Sequence, residues 1–370
     1  MNKLSKMAEP KQLKGKVECN FEEFPYFIPS TKNLKNQKEI IFLRKVSNSK
    51  GETLHQEWIV RAEHGNHLPG SFEADVKRAL DQLIFETGYE AVSQSGSIKF
   101  SLYQIADILG LDHGGWTWRR IREALERMKT TNIHSKHSFY IKGKDAYVDD
   151  IFTFLEQVRF IRLVEGKRTR HATCEVRLSK YVLESLKNHY IKPFDFGFYW
   201  SLNDPIPKRL YSLFDKRGYK SSKITYDLVE LGRTIPLTSR PPSKIKQGIL
   251  PGLNILKNRG YLKDFEFSKS KQGTDLLTVV LKKENEVDPE VREIANALYE
   301  TMVRYLGKNE TADAQYWKIA ETIPSDLIYR AISEVREEKR EGTVRSPIGL
   351  FMTKINRYAE EANLVAKTTK

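Results

Sequence analysis

The sequence predicts an α+β protein whose last quarter is all-α, and three observations carry that reading. One order of elements occurs twice before residue 287: helix, short strand, short helix, turn, basic amphipathic helix, β-hairpin. After that point only helical spacing remains, with Ile294, Leu298, Met302 and Leu306 at intervals of four. The charge follows the same division. The chain of 370 residues carries 62 Lys+Arg against 48 Asp+Glu, a net +14. Residues 287–370 hold 13 basic and 14 acidic side chains, so all of the excess lies in the first 286 residues.

The length allows two or three domains, and 39% hydrophobic residues supply real cores. No run of apolar residues is long enough to span a membrane. The first residues are basic and lack an apolar stretch, so no secretory signal is expected there. Cys19 and Cys174 are too few and too far apart for a zinc cluster or a disulfide framework. A reducing cytoplasm is the expected location, on the nucleoid or a plasmid. The excess of positive charge points to a polyanion partner.

Residues 1–35 are Lys-rich with little pattern and are expected to form a flexible basic arm. Glu39–Leu43 and Trp58–Ala62 read as strands. Ser71–Thr87 reads as a helix with Phe72, Val76, Ala79, Leu80 and Leu83 on one stripe, ended by Gly88. Ile98–Ser101 is a short strand and Leu102–Leu109 a short helix, followed by a turn from Gly110 to Gly115. In Thr117–Lys129, Trp118, Ile121, Leu125 and Met128 share one face, while Arg119, Arg120, Glu123 and Arg127 share the other. Asn132–Ile141 and Tyr147–Leu163 then read as β segments joined at Lys142-Gly143-Lys144. That order is the order of a winged helix-turn-helix.

The order recurs from Asp204. A helix spans Pro205 to Arg217, Ser222–Thr225 is a strand and Tyr226–Leu231 a short helix. Pro241-Pro242 then starts a helix to Asn258, with Ile245, Ile249, Leu253 and Leu256 on its apolar side. Pro251 lies inside it and is expected to kink or break it. Tyr261–Ser268 and Leu276–Lys282 form the hairpin. In the tail, Asp288-Pro289 and Ser346-Pro347 are helix starts, and Ser325–Lys339 is a further helix. The expected organisation is an arm over 1–35, a first winged-helix domain over 36–192, a second over 193–286 and a helical module over 287–370.

Helix starts rich in Arg and Lys can enter the major groove and bond base edges. Lysines in a hairpin tip neutralise phosphate. The candidate DNA contacts in the first unit are Thr117, Arg119, Arg120 and Arg127 on the helix, with Lys136, Lys142 and Lys144 in the wing. In the second they are Ser239, Arg240, Ser243, Lys244, Lys246 and Gln247, with Lys269 and Lys271 in the wing. Trp118 reads as core, and Trp116 reads as packing of the turn rather than as a stacking surface. The pairs His64/His67 and His134/His137 lack a third ligand, so no metal is expected. There is no P-loop and no His-x-His pair of a metal-dependent nickase. No catalytic residue and no cofactor are therefore expected, and the protein is read as a non-enzyme.

These residues carry a resemblance to a known family. It begins at Glu23-Phe-Pro-Tyr-Phe27 and continues through Trp58-Ile-Val and Leu68-Pro-Gly-Ser-Phe72. It is strongest over Leu102–Lys129, including the run from Gly114 to Arg127, and resumes at Phe194–Tyr199 and Lys208–Arg217, ending near Gly260-Tyr-Leu262. In order and spacing the chain resembles the bacterial plasmid replication initiator protein A family. The resemblance implies two winged-helix domains that bind repeated sites (iterons) of double-stranded DNA at a plasmid origin. It also implies melting of the origin, recruitment of the host initiator ATPase and the replicative helicase, and often repression of its own promoter by a homodimer. A transcriptional repressor without a replication role is the alternative reading of the same helices.

Overall fold

The computed structural model describes residues 13–29, 37–47, 53–63, 67–165, 168–218, 221–237, 241–282, 289–307, 323–340 and 346–361, with 312, 315, 316, 319, 320, 342 and 344 between them. It is a mixed α/β structure in two compact units, residues 1–282 and 283–370.

The chain enters through β1 (Lys14–Glu18) and the single turn α1 (Asn20–Glu23). β1 pairs antiparallel with β9 (Ile191–Asp195). Val17, Phe21, Phe24, Tyr26 and Ile28 are buried. Phe24 stacks on Trp58 with ring centroids 4.9 Å apart, and Trp58 Nε1 donates to Pro25 O at 2.8 Å. The expectation of a flexible arm over 1–35 is therefore corrected for residues 13–29. The lysines suggested a solvated tail, but the aromatic residues among them fill the core.

β2 (Glu39–Ser47), β3 (Thr53–Arg61), β5 (Asn132–Ile141) and β6 (Ala146–Thr153) make a four-stranded antiparallel sheet in the order β2-β3-β5-β6. A second sheet holds β4 (Ser97–Phe100), β7 (Leu155–Glu165) and β8 (Arg168–Leu178), in the order β4-β8-β7. Against these pack α2 (Ser71–Thr87), α3 (Tyr89–Ser95), α4 (Leu102–Ile108), α5 (Gly115–Thr130) and α6 (Lys180–Lys187). The long β segment expected over Tyr147–Leu163 is two strands, parted at Phe154. The buried Phe154 ring turns inward there and its carbonyl accepts from Ser179 N.

This division moves the first hairpin. The tip at Lys142–Lys144 was expected to be the wing, but β5 pairs with β3 and never with β4. The strand beside β4 is β8, whose hairpin partner is β7. β5 and β6 are an insertion between α5 and the hairpin β7–β8.

The second half of this unit contains α7 (Phe196–Ser201), α8 (Pro205–Arg217), β10 (Lys223–Asp227), α9 (Leu228–Thr234), α10 (Pro242–Asn258), β11 (Leu262–Lys269) and β12 (Asp275–Leu281). The strand order is β10-β12-β11. Relative to the sequence reading, β10 starts one residue later and ends two residues later. Tyr226 is a buried strand residue, and Asp227 Oδ1 caps α9 by accepting from Glu230 N at 2.9 Å. α10 runs unbroken through Pro251, against expectation. Pro251 lies on the exposed side, while Gly252 is buried. A Cβ at Gly252 would stand 3.1 Å from Ile206 Cγ2 and Leu210 Cδ1, so this glycine lets α8 and α10 approach closely.

Residues 283–370 contribute α11 (Pro289–Leu306), α12 (Ser325–Arg340) and α13 (Pro347–Glu361). Leu298, Met302, Ile328, Ile332, Phe351 and Ile355 make their shared core. Glu334 on α12 accepts from Lys354 at 2.8 Å and from Tyr358 at 2.5 Å on α13. These bonds hold its carboxyl down at about 2. No described helix is long and apolar enough to cross a membrane.

Candidate nucleic-acid interface

Two helix pairs carry the candidate residues. In the first, Ser101 caps α4 by accepting from Gln104 N, and Gln104 Oε1 accepts from Ser101 N at 2.8 Å, a reciprocal capping box. Gly110 turns the chain with φ +64°. α5 then starts at two glycines, with no acidic residue in its first turn. Ile121, Ala124, Leu125 and Met128 are wholly buried, and this seats the helix with its other side outward.

The predicted residues of α5 part company on that surface. Arg119 is exposed, and among the described residues nothing pairs with it. Thr117 is completely buried, with its hydroxyl donating to Asp112 Oδ1 at 2.8 Å. It stabilises the turn and cannot meet a groove, so that expectation is corrected. Arg127 forms an ion pair with Glu73 at the start of α2 and is held by the fold. Arg120 lies over two rings, 3.8 Å from the centroid of Phe72 and 4.6 Å from that of Trp116. Trp116, expected to pack the turn, is 60% exposed. Arg122 braces the helix on β7, with Cζ 4.4 Å from the Phe160 ring.

The three lysines expected in the first wing stand elsewhere. Lys136 lies on β5 and reaches Glu57 at 3.4 Å. Lys142 is exposed at the β5–β6 tip, and Lys144 is bound to Glu184 of α6 at 2.8 Å. The hairpin beside α5 is β7–β8. By sequence it carries Arg162, Arg168 and Arg170 near its turn, with Arg168 opposite Glu165 and Arg170 opposite Leu163. The sequence reading passed over them because it gave no strand to 168–178. The alternating run Arg-His-Thr-Glu-Arg at every second or third position, after Glu165-Gly166, was the available signal.

The second pair is simpler. Pro241 precedes α10, which again has no acidic residue in its first turn. Ile245, Ile249, Leu253 and Leu256 are buried, and Ser243, Lys244, Lys246 and Gln247 are exposed beside one another. Lys244 Nζ donates to Gln247 Oε1 at 3.3 Å. Lys246 Nζ lies 4.5 Å from the Phe267 ring on β11. Lys269 and Lys271 are exposed at the β11–β12 turn, which Gly273 closes with φ +83°. Ser239 and Arg240 lie outside the described residues.

No cluster of three His, Cys, Asp or Glu able to hold a metal occurs among the described residues. Both thiols are buried, and burial pushes Cys19 up to about 11 and Cys174 up to about 12.

A comparison with family models adds the deciding observation: residues 60–236, from the end of β3 to beyond α9, match the model described as replication initiator protein A. This segment is similar to the replication initiator protein A family. The match is narrower than the resemblance read from the sequence, since α10 and its hairpin lie beyond it. No curated protein matches the chain. Two solved structures of RctB are similar to it. A selenomethionine derivative of RctB domains 2 and 3 has 13% identity and a TM-score of 0.45, covering 72% of this chain and 99% of that one. Another structure of domains 2–3 has 15% identity and a TM-score of 0.40, covering 70% and 95%. The matched segment holds α4, α5 and both β hairpins of the first half.

Proposed function

We propose that this replication initiator is a sequence-specific binder of double-stranded DNA built on two winged helix-turn-helix units. One observation carries the reading. Both halves of residues 1–282 have a strand before the helix pair that is hydrogen-bonded to the last strand of the hairpin after it, β4 to β8 and β10 to β12. In each, the helix between them exposes a basic start free of acidic residues. In this reading α5 and α10 enter successive major grooves about one helical turn apart. The wings are β7–β8 and β11–β12, and their cations neutralise phosphate.

Several copies on a row of iterons would bend the origin and strain an adjoining A·T-rich stretch, where opening costs least. The host initiator ATPase and the helicase would load there, and a homodimer would repress the initiator's own promoter. The protein acts in this reading without catalysis of its own and needs no cofactor.

A nuclease footprint on the plasmid that carries the gene tests it. Protection of direct repeats is expected, and protection of none overturns it. Deleting the gene should abolish plasmid maintenance; maintenance without it would favour the repressor. Metal-dependent cutting of supercoiled DNA by the purified protein would overturn the non-enzymatic reading.

A further inference from the structure

The most exposed large apolar side chain among the described residues is Trp116, at 60%. It stands in the first turn of α5, three residues before Arg119 and four before Arg120, so all three share one face. An indole left in water at that position is held in place nonetheless. The Arg120 guanidinium lies between the Trp116 ring at 4.6 Å and the Phe72 ring at 3.8 Å. Phe72 belongs to α2, so the ladder Phe72–Arg120–Trp116 is anchored outside α5. The residue next to the indole leaves room for an approach: a Cβ at Gly115 would have no neighbour within 4 Å, whereas one at Gly114 would meet Asp112 Oδ2 at 2.6 Å. Charge on the helix itself suits a polyanion, since the first turn holds no acid and Arg119 is exposed without a described partner, and the nearby Asp112 carboxylate is engaged by the Thr117 hydroxyl at 2.8 Å.

We infer that Trp116 is a base-reading residue whose indole edge lies against the 5-methyl group of a thymine, next to a guanine bonded by Arg119. This rests on the proposed entry of α5 into the major groove. The thymine methyl is the apolar group that the major groove displays, and apolar side chains read it by contact. Three residues of helix advance roughly 4.5 Å, so the two bases lie within about two steps of each other. Arg120 acts through Trp116 as a positioning residue, because its guanidinium is already taken up by the two rings.

The test uses the full chain and its own origin repeat, with single thymines replaced by uracil. Uracil keeps every hydrogen bond and loses only the methyl. For the unaltered protein, one or two replacements near the Arg119-dependent guanine should weaken binding about fourfold each, the factor for one buried methyl group. Trp116→Ala should lose that factor on thymine DNA and become indifferent to those replacements, while other sensitive positions stay as they were. Trp116→Leu should keep part of the methyl response. Arg120→Lys should blunt the response without changing the melting temperature of the protein by more than a degree or two.

An unchanged uracil pattern in Trp116→Ala, or no methyl-sensitive thymine beside the guanine, overturns the inference. Binding of no repeat by the unaltered protein would instead overturn the proposed function, so the two failures are distinct.

Discussion

At the residue scale the informative side chains are those whose surroundings set their charge. Glu22 is buried, which pushes its carboxyl up, but Arg78, Lys77 and Lys192 outweigh this and hold it down at about 2. Arg78 Nη2 donates to both Glu22 oxygens at 2.9 Å and to Ser212 Oγ on α8 at 3.1 Å, so one guanidinium joins three segments. A carboxyl depressed from 4.5 to about 2 stabilises the fold fully above pH 4.5, and the contribution disappears as pH falls towards 2. Asp81, raised by its burial, works in the opposite direction and takes up its proton first. Glu22→Gln should therefore remove much of the acid limb of a stability profile and lower stability at pH 7 by about 3–5 kcal/mol, because the buried cations Arg78 and Lys77 are then left with Asp81 as their one carboxylate, and one charge goes uncompensated. Chemical denaturation at pH 3 and at pH 7 checks both. On the DNA side, Arg119→Ala and Lys244→Ala should weaken binding to the origin repeat far more than to random DNA. Equal losses in a competition titration would mean that these side chains touch only phosphate.

At the element scale the sequence reading placed the long helices, passed over α1, α3, α6 and α7, and misassigned one hairpin. α2, α5, α8 and α10 were legible because an amphipathic helix advertises its buried stripe at intervals of three and four, and Ile121, Leu125 and Met128 are indeed wholly buried. Strand partners were not legible. β5 and β6 alternate as well as β7 and β8 do, and nothing local says which hairpin bonds to β4. The consequence is measurable. Lys142→Ala with Lys144→Ala should leave DNA affinity and its salt dependence unchanged, at a stability cost below about 1 kcal/mol for the exposed pair with Glu184. Arg168→Ala with Arg170→Ala should reduce the slope of log affinity against log salt by about two. α10 offers a second check. Gly252→Val should destabilise by about 1–3 kcal/mol in a thermal melt, since the added methyls meet Ile206 and Leu210.

For the whole molecule, residues 13–29 join the two halves of the unit formed by residues 1–282. β1 pairs with β9, Arg209 on α8 donates to Glu22 O at 2.9 Å and to Glu23 O at 3.3 Å, and Tyr26 donates to Met128 O at the end of α5 at 3.1 Å. Deleting residues 1–29 should therefore lower the melting temperature sharply and broaden the transition. A true arm would leave both unchanged. Residues 283–370 have their own core, so a chain ending at Lys282 should keep the melting temperature of its remaining unit and its affinity for the repeats.

The sequence by itself determined the long helices, their buried stripes, the basic faces of α5 and α10, and the resemblance that the family match over residues 60–236 supports. These are legible because side-chain spacing along one helix and local charge are properties of neighbouring residues. Only the tertiary structure decided that the N-terminal segment is core, that β7–β8 and not β5–β6 adjoins β4, that Thr117 is buried and that Trp116 is open to solvent. Each of those depends on a partner far away in the chain: β9 for β1, β8 for β4, Phe72 for Arg120. Hydrogen bonds and ring contacts between distant segments leave no periodic trace in the sequence.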